Sequence, residues 1–250
     1  MHSRVNPLIY VRNKAQKKIN DEEIKRMVAA VQRQVTEDFQ PVWGTGAQLV
    51  FAERKEDVPV HAYQIVVYET AKDAEDKDFL GYHYSPEGYP VANIFLDADI
   101  QEDKTISDTL SHEVLEMIVD PACNLYAYRP SAAGRPERIY FYEVCDAVQC
   151  KHYEIDGVSV CDFVYPEWFE NNWKDDSARK FDHLHLLDHP FHVLKGCYAD
   201  VFEARRGSFT IWGKDTPEGI QKQEHKRRRL NARKDKMNFL NAGEVPKPQG

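Results

Sequence analysis

Apolar positions alternate with polar ones in a few short runs and recur at helical spacing in two others. "PLIYVRN", around residue 10, reads as a short strand. From Asp21 the segment "DEEIKRMVAAVQRQVTEDF" places Ile24, Met27, Val28, Val31 and Val35 on one helical face, and Asp21 stands at its start. "AQLVFAE" (47–53) and "AYQIVVYE" (62–69) are rich in β-branched and aromatic residues, which predicts strands. "TAKDAEDKD" is a charged link. Gly81, Pro86, Gly88 and Pro90 then punctuate the approach to a further strand, "VANIFLD". "ISDTLSHEVLEMIVD" (106–120) predicts a helix with Leu110, Val114, Met117 and Ile118 on one side, ended by Pro121.

Beyond Pro121 the pattern loosens. "NLYAYRPSAAGRPER" reads as an excursion, and 139–149 and 153–169 as strands or short turns, with Asp156-Gly157 making a hairpin turn. The stretch 171–190 is polar and rich in histidine. A terminal hairpin is expected over 196–213 around Arg206-Gly207, and a solvent-exposed tail from Thr216. The predicted class is α+β: residues 1–215 form one domain (1–121 sheet and helix core, 122–215 loop-rich second half), and 216–250 a basic tail.

The helix at 106–120 carries the candidate chemistry. His112 and Glu116 are four residues apart and share a face, so both can bind one cation. Asp120 lies a further turn along, too distant for the same ion. Glu113 is rotated by about 100° from His112 and is placed to take a proton from water. His-Glu-x-x-Glu alone is a weak signal, since charged residues at this spacing also occur on ordinary solvated helices. A third ligand must come from downstream. "YEVCDAVQ" offers Glu143, 27 residues after Glu116, and Asp146 three later; the choice between them stays open. A carboxylate in place of a second imidazole adds negative charge and hardness, which favours zinc less strongly over Mn, Fe or Ca.

Charge and cysteine count add context. The formal net charge is −8, yet "QKQEHKRRRLNARKDK" (221–236) carries eight Lys or Arg against two acidic residues, a net +6, leaving −14 on the rest. A basic arm of this kind docks on an acidic neighbour or on nucleic-acid phosphates. The 222–236 tail has no interleaved aromatics for base stacking, so nucleic acid is the less favoured partner. No apolar run is long enough to span a membrane, and the first residues lack a signal-peptide segment. Five cysteines, an odd number, then suggest reduced thiols in a cytoplasm-like or virion-associated setting. No P-loop, dinucleotide fingerprint or serine nucleophile elbow is present.

The order strand, helix, three strands, helix, together with "SHEVLEM", resembles the zincin metallopeptidase fold. The helix and "DGVSVCDFVYPEWF" are also similar to proteins of actinobacteria and their phages that carry His-Glu-x-x-Glu. The resemblance covers roughly residues 8–146. It implies one divalent metal, zinc, held by His112, Glu116 and Glu143 or Asp146, with Glu113 as catalytic base. It also implies an edge strand at 91–96, where Val91, Asn93 and Phe95 would hold an extended peptide or protein substrate. The rival expectation is a decayed site in a structural or assembly protein, such as a virion component, contacting neighbouring subunits through its second half and its tail.

Other clusters have plainer readings. Cys145, Cys150, His152 and Cys161 are a possible zinc set, but buried thiols fit their spacing better. His183, His185, His189 and His192 read as surface or hydrogen-bonded residues, and His83 as a residue bordering the cleft. Trp168, Phe169 and Trp173 read as packing residues, with an exposed patch gripping another subunit as the alternative.

Overall fold

A computed structural model describes residues 6–70, the backbone of 82–84, and residues 89–97, 105–132, 134–171 and 179–213. The charged link after Thr70, His83 as a side chain, Trp173 and the basic tail lie outside the described residues. The architecture is α+β. Strands β1 (Leu8–Asn13), β2 (Gln48–Phe51), β3 (Tyr63–Tyr68), β4 (Tyr82–Tyr84) and β5 (Val91–Phe95) form one sheet in the order β2-β1-β3-β5-β4. The first four in that order run parallel, and β4 runs antiparallel on β5. Interior parallel strands are covered on both faces and lose the polar alternation. Accordingly Ile65, Val66 and Val67 are all buried.

The edge expected at 91–96 is not there. β5 is paired on one side to β3 and on the other to β4, so the main chain of Val91, Asn93 and Phe95 is already engaged. Asn93 and Phe95 are also buried as side chains. The sheet edge falls to β4 instead. Three residues preceded by a charged link give little periodic signal, which is why the strand was not anticipated.

Helix α1 (Asp21–Arg33) starts at Asn20, whose side chain accepts from the Glu23 backbone N–H, while the Glu23 carboxylate accepts from Asn20. Ile24, Val28 and Val31 enter the core as predicted. The helix runs beyond Phe39. It widens to a π-turn over Gln34–Phe39 and resumes as α2 (Gln40–Trp43). Pro41 has no N–H, and its ring would collide with the carbonyl four residues back in a regular helix; the wider turn relieves that conflict. Gly44, in the left-handed region at φ 65°, ends the run.

Helix α3 (Ile106–Val119) is capped by Thr105, which accepts from Asp108 N–H, and Asp108 returns the bond. It is buried nearly all round, rather than on one side, because it packs between β5, α1 and a hairpin from the second half. Polar residues on its inner faces therefore need partners supplied by the fold. Asp120 turns its carboxylate away to accept from Asn124 and Leu125 N–H, both at 2.9 Å.

The second half builds a four-stranded antiparallel sheet from β6 (Tyr126–Arg129), β7 (Arg138–Phe141), β10 (Tyr198–Glu203) and β11 (Gly207–Trp212), in the order β11-β10-β7-β6. β6 lies inside the expected excursion; its apolar content is too low to stand out before β7 is known to pair with it. β8 (His152–Ile155) and β9 (Val158–Cys161) form the expected hairpin, with Asp156 and Gly157 both at positive φ. One apolar cluster runs from Ile9 to Val201 through both halves. No helix among the described residues is long and apolar enough to cross a membrane.

The cysteines depart from expectation. Cys150 and Cys197 form a disulfide, joining the segment before β8 to the start of β10. Cys145 and Cys161 are buried thiols, as expected, with sulfurs 3.5 Å apart, and Cys123 lies outside the disulfide. Sequence spacing carries no information about connectivity, so nothing in it points to the Cys150–Cys197 bond.

Candidate metal centre

Three donor atoms meet where α3 faces the segment after β7. His112 Nε2 lies 3.1 Å from Glu116 Oε1 and 3.5 Å from Asp146 Oδ1. One donor atom from each of the three residues lies within 4.8 Å of the others. Neighbouring ligands on one tetrahedral ion at about 2.0–2.1 Å would stand roughly 3.3–3.4 Å apart, close to what is seen.

Helix periodicity brings His112 over Glu116. Asp146 arrives from a different element, a 3-10 turn over Asp146–Val148. That turn is fastened at several points. Cys145 N–H donates to Glu116 Oε1, Val164 N–H donates to Val144 O, and Leu194 N–H donates to Ala147 O. The Cys150–Cys197 bond closes the same region four residues on. On the other side of α3, Ser111 Oγ accepts from Cys161 N–H and so pins β9 to the helix.

The set is nearly closed to solvent: His112 is 6% exposed, Glu116 2% and Asp146 4%. Burial by itself would drive the His112 imidazole neutral. The Glu116 carboxylate, then those of Glu113 and Asp146, outweigh it and push the ring up to about 9. Even with the ring protonated, one imidazolium and two carboxylates keep a surplus negative charge within the set. His112 Nε2 makes no hydrogen bond, despite its short approach to Glu116. A buried ring nitrogen facing two carboxylate oxygens without hydrogen-bond geometry suits a cation between them. Imidazole nitrogen and carboxylate oxygen are both donors that zinc and the harder first-row divalent ions accept.

Of the residues expected at this site, Glu113 is buried on α3 at 1% exposure and acts on His112 electrostatically. Glu143 is buried three residues before Asp146, but it is outside the three-donor set. Val91, Asn93 and Phe95 belong to β5, as described. Cys145 and Cys161 lie against the back of the site: together with His112 they form a second close group, and the Cys145 thiol reaches His112 O at 3.8 Å. The sequence reading had assigned those two sulfurs to another cluster. His183 is elsewhere, its ring against Phe163 and Tyr153. Asp188, His189 and His192 gather at the surface, where surface or hydrogen-bonded histidines were expected.

No family model, curated protein or solved structure matches the chain.

Proposed function

We propose that this chain is a zincin-like, metal-dependent peptide hydrolase. It would hold one divalent cation, zinc in the first instance, on His112, Glu116 and Asp146. The observation that carries the reading is the convergence of Asp146 on His112 Nε2 from a separate element, 3.5 Å away and buried. Support for the fold comes from the mixed sheet with its antiparallel edge strand β4 ahead of the metal-bearing helix.

A bound cation supplies a Lewis acid for the scissile carbonyl. The protein's own residues do the rest. His112, Glu116 and Asp146 fix the position of the charge. Glu113, one residue after the imidazole, accepts a proton from the attacking water and returns it to the leaving nitrogen. The outer edge of β4, the last strand of the sheet among the described residues, offers main-chain groups to an extended peptide. Glu143, buried three residues before Asp146, is not one of these ligands.

The experiment is elemental analysis of the purified chain and of variants, followed by peptide hydrolysis. The wild type, Glu113→Gln and Glu143→Gln are expected to hold about one equivalent of metal more than Asp146→Ala. Hydrolysis should be lost in Glu113→Gln while metal stays. Equal metal in Asp146→Ala and wild type would overturn the ligand assignment.

A second reading rests on the same burial. Donors exposed by 6% or less suit a closed centre that stiffens the junction of the two halves without turnover, in a structural or assembly protein. Metal at one equivalent with no hydrolysis of any peptide would favour it.

A further inference from the structure

We infer that Asp188, His189 and His192 form a second metal site, at the surface, for a borderline transition-metal ion such as Zn2+, Ni2+ or Cu2+. The segment is "DHPFH". Both imidazoles bring Nδ1 to a single oxygen, Asp188 Oδ1, at 2.5 Å for His189 and 2.7 Å for His192. The two rings stack with centroids 4.7 Å apart and planes 11° from parallel. Donor atoms of the three residues lie within 4.8 Å of one another.

An ordinary acid–imidazole pair does not account for this. His189 Nδ1 makes a hydrogen bond to Asp188, and His192 Nδ1, shielded from solvent, lies 2.7 Å from the same oxygen outside regular hydrogen-bond geometry. Two ring nitrogens thus meet at one carboxylate oxygen, which has to give way by several tenths of an ångström for all three donors to face one ion. Two imidazoles and a carboxylate are the donor types that intermediate divalent ions prefer, and three protein ligands leave a fourth place for water.

The local chain is built to hold this arrangement. Between the two histidines, Pro190 limits one backbone torsion and Phe191 adopts φ 58°, an unusual value for a residue with a Cβ. Three contacts enforce it: Phe191 N–H donates to Trp168 O, Trp168 Nε1–H donates to His192 O, and the Phe191 ring packs on Tyr140 and Trp168. Backbone strain of this kind persists only where the surroundings impose it. Here it turns both imidazoles to the same side. The ligand side chains all reach solvent, with 42%, 32% and 76% of their surface open for His189, His192 and Asp188, so they can spread around an ion. His189 also lines a cleft of about 160 Å³ that opens to solvent, which gives the ion a path in.

The test uses the full chain dialysed against micromolar free Zn2+ and, separately, Ni2+, beside a His189→Gln/His192→Gln double variant. The wild type should hold one equivalent more than the variant. Added metal should shift the imidazole proton resonances of His189 and His192 together and raise the melting temperature of the wild type more than that of the double variant. The count is a difference, so it is read independently of the buried centre. If that centre also fills, the result is two against one; if it stays empty, one against none. Asp188→Asn, which keeps both rings, should weaken binding without removing it. Equal equivalents in wild type and double variant, or metal that moves neither imidazole, would leave only a hydrogen-bonded pair and overturn the site.

Discussion

Two places in this molecule bury carboxylates side by side, and they solve the problem differently. At Asp162 and Asp182, both wholly buried, the protein supplies its own answer. Asp182 accepts from the N–H groups of Leu186 and Leu187, and Asp162 Oδ1 accepts from those of Phe163 and Leu184. Burial first, then the neighbouring Asp182 carboxylate, pushes Asp162 up to about 9, so it keeps its proton at neutral pH. At Glu116 and Asp146 the carboxylates instead face an imidazole nitrogen that makes no hydrogen bond. One pair is completed by a proton and backbone amides, while the other is arranged around a point between side chains. Buried acids are therefore not by themselves a sign of a metal site. What distinguishes the two is the convergence of different donor types on a shared centre.

The largest effect should come from removing the ion. A ligand at about 1,000 times its Kd stabilises a fold by roughly 4 kcal/mol, which for a chain of this size is on the order of 10 °C in Tm. Chelation should therefore lower the Tm of the metal-loaded protein by that order and lower that of Asp146→Ala much less. Identical melting with and without chelator would erase the contrast between the two acid pairs.

Reduction comes next. Opening Cys150–Cys197 frees a loop spanning 47 residues, worth about 4 kcal/mol at most on a chain-entropy account and often less. Because Cys150 lies four residues beyond Asp146, the Cys150→Ser variant should also retain less metal on dialysis. The Asp162–Asp182 pair has no such brace. Its signature, described next, should survive in the same variant, and a loss of both together would mean general unfolding.

A smaller effect of opposite sign is expected at Asp162. Its folded pKa lies above its unfolded value, so the folded state holds one more proton between about pH 4 and about pH 9. Stability from this group is fully present below about pH 4 and declines as the pH rises through that window. Asp162→Asn keeps the shape, removes the titration and should raise stability at pH 8 by about 1–3 kcal/mol. Urea titrations at pH 5 and pH 8 would show the gain growing with pH; a uniform loss at both would refute the raised pKa of Asp162.

The smallest is a surface control. Arg33 pairs with Glu37 at 3.0 Å and Asp156 at 2.6 Å, all well exposed. Arg33→Ala should cost less than about 1 kcal/mol and leave both acid pairs untouched. A larger loss in thermal melting would show that the β8–β9 hairpin depends on that anchor.

Much of the sheet and helix core was legible because its information is local. β1, β3, β5 and α3 carry their period and caps in consecutive residues, and Asp156-Gly157 has the torsional freedom its turn requires. What was not legible depends on distant partners. The choice of Asp146 over Glu143 for the three-donor set follows from how the 3-10 turn is tied to Val164 and Leu194. β6 is a strand because β7 lies beside it. The pairing of Cys150 with Cys197, 47 residues apart, follows from chain reversals that no spacing rule encodes.

The widened turn at Gln34–Phe39 has a consequence for how this chain can change length. Gln40 N–H bonds to Val35 O, five residues back, so the helix accommodates one surplus residue while the segments on either side keep their faces. Trp43 can then still donate to Val164 O across the molecule. Pro41 and the surplus residue are therefore a linked pair of traits. Losing one residue here would restore a regular spiral around a proline that cannot tolerate it, and replacing Pro41 by alanine in the same step would let the shortened helix close.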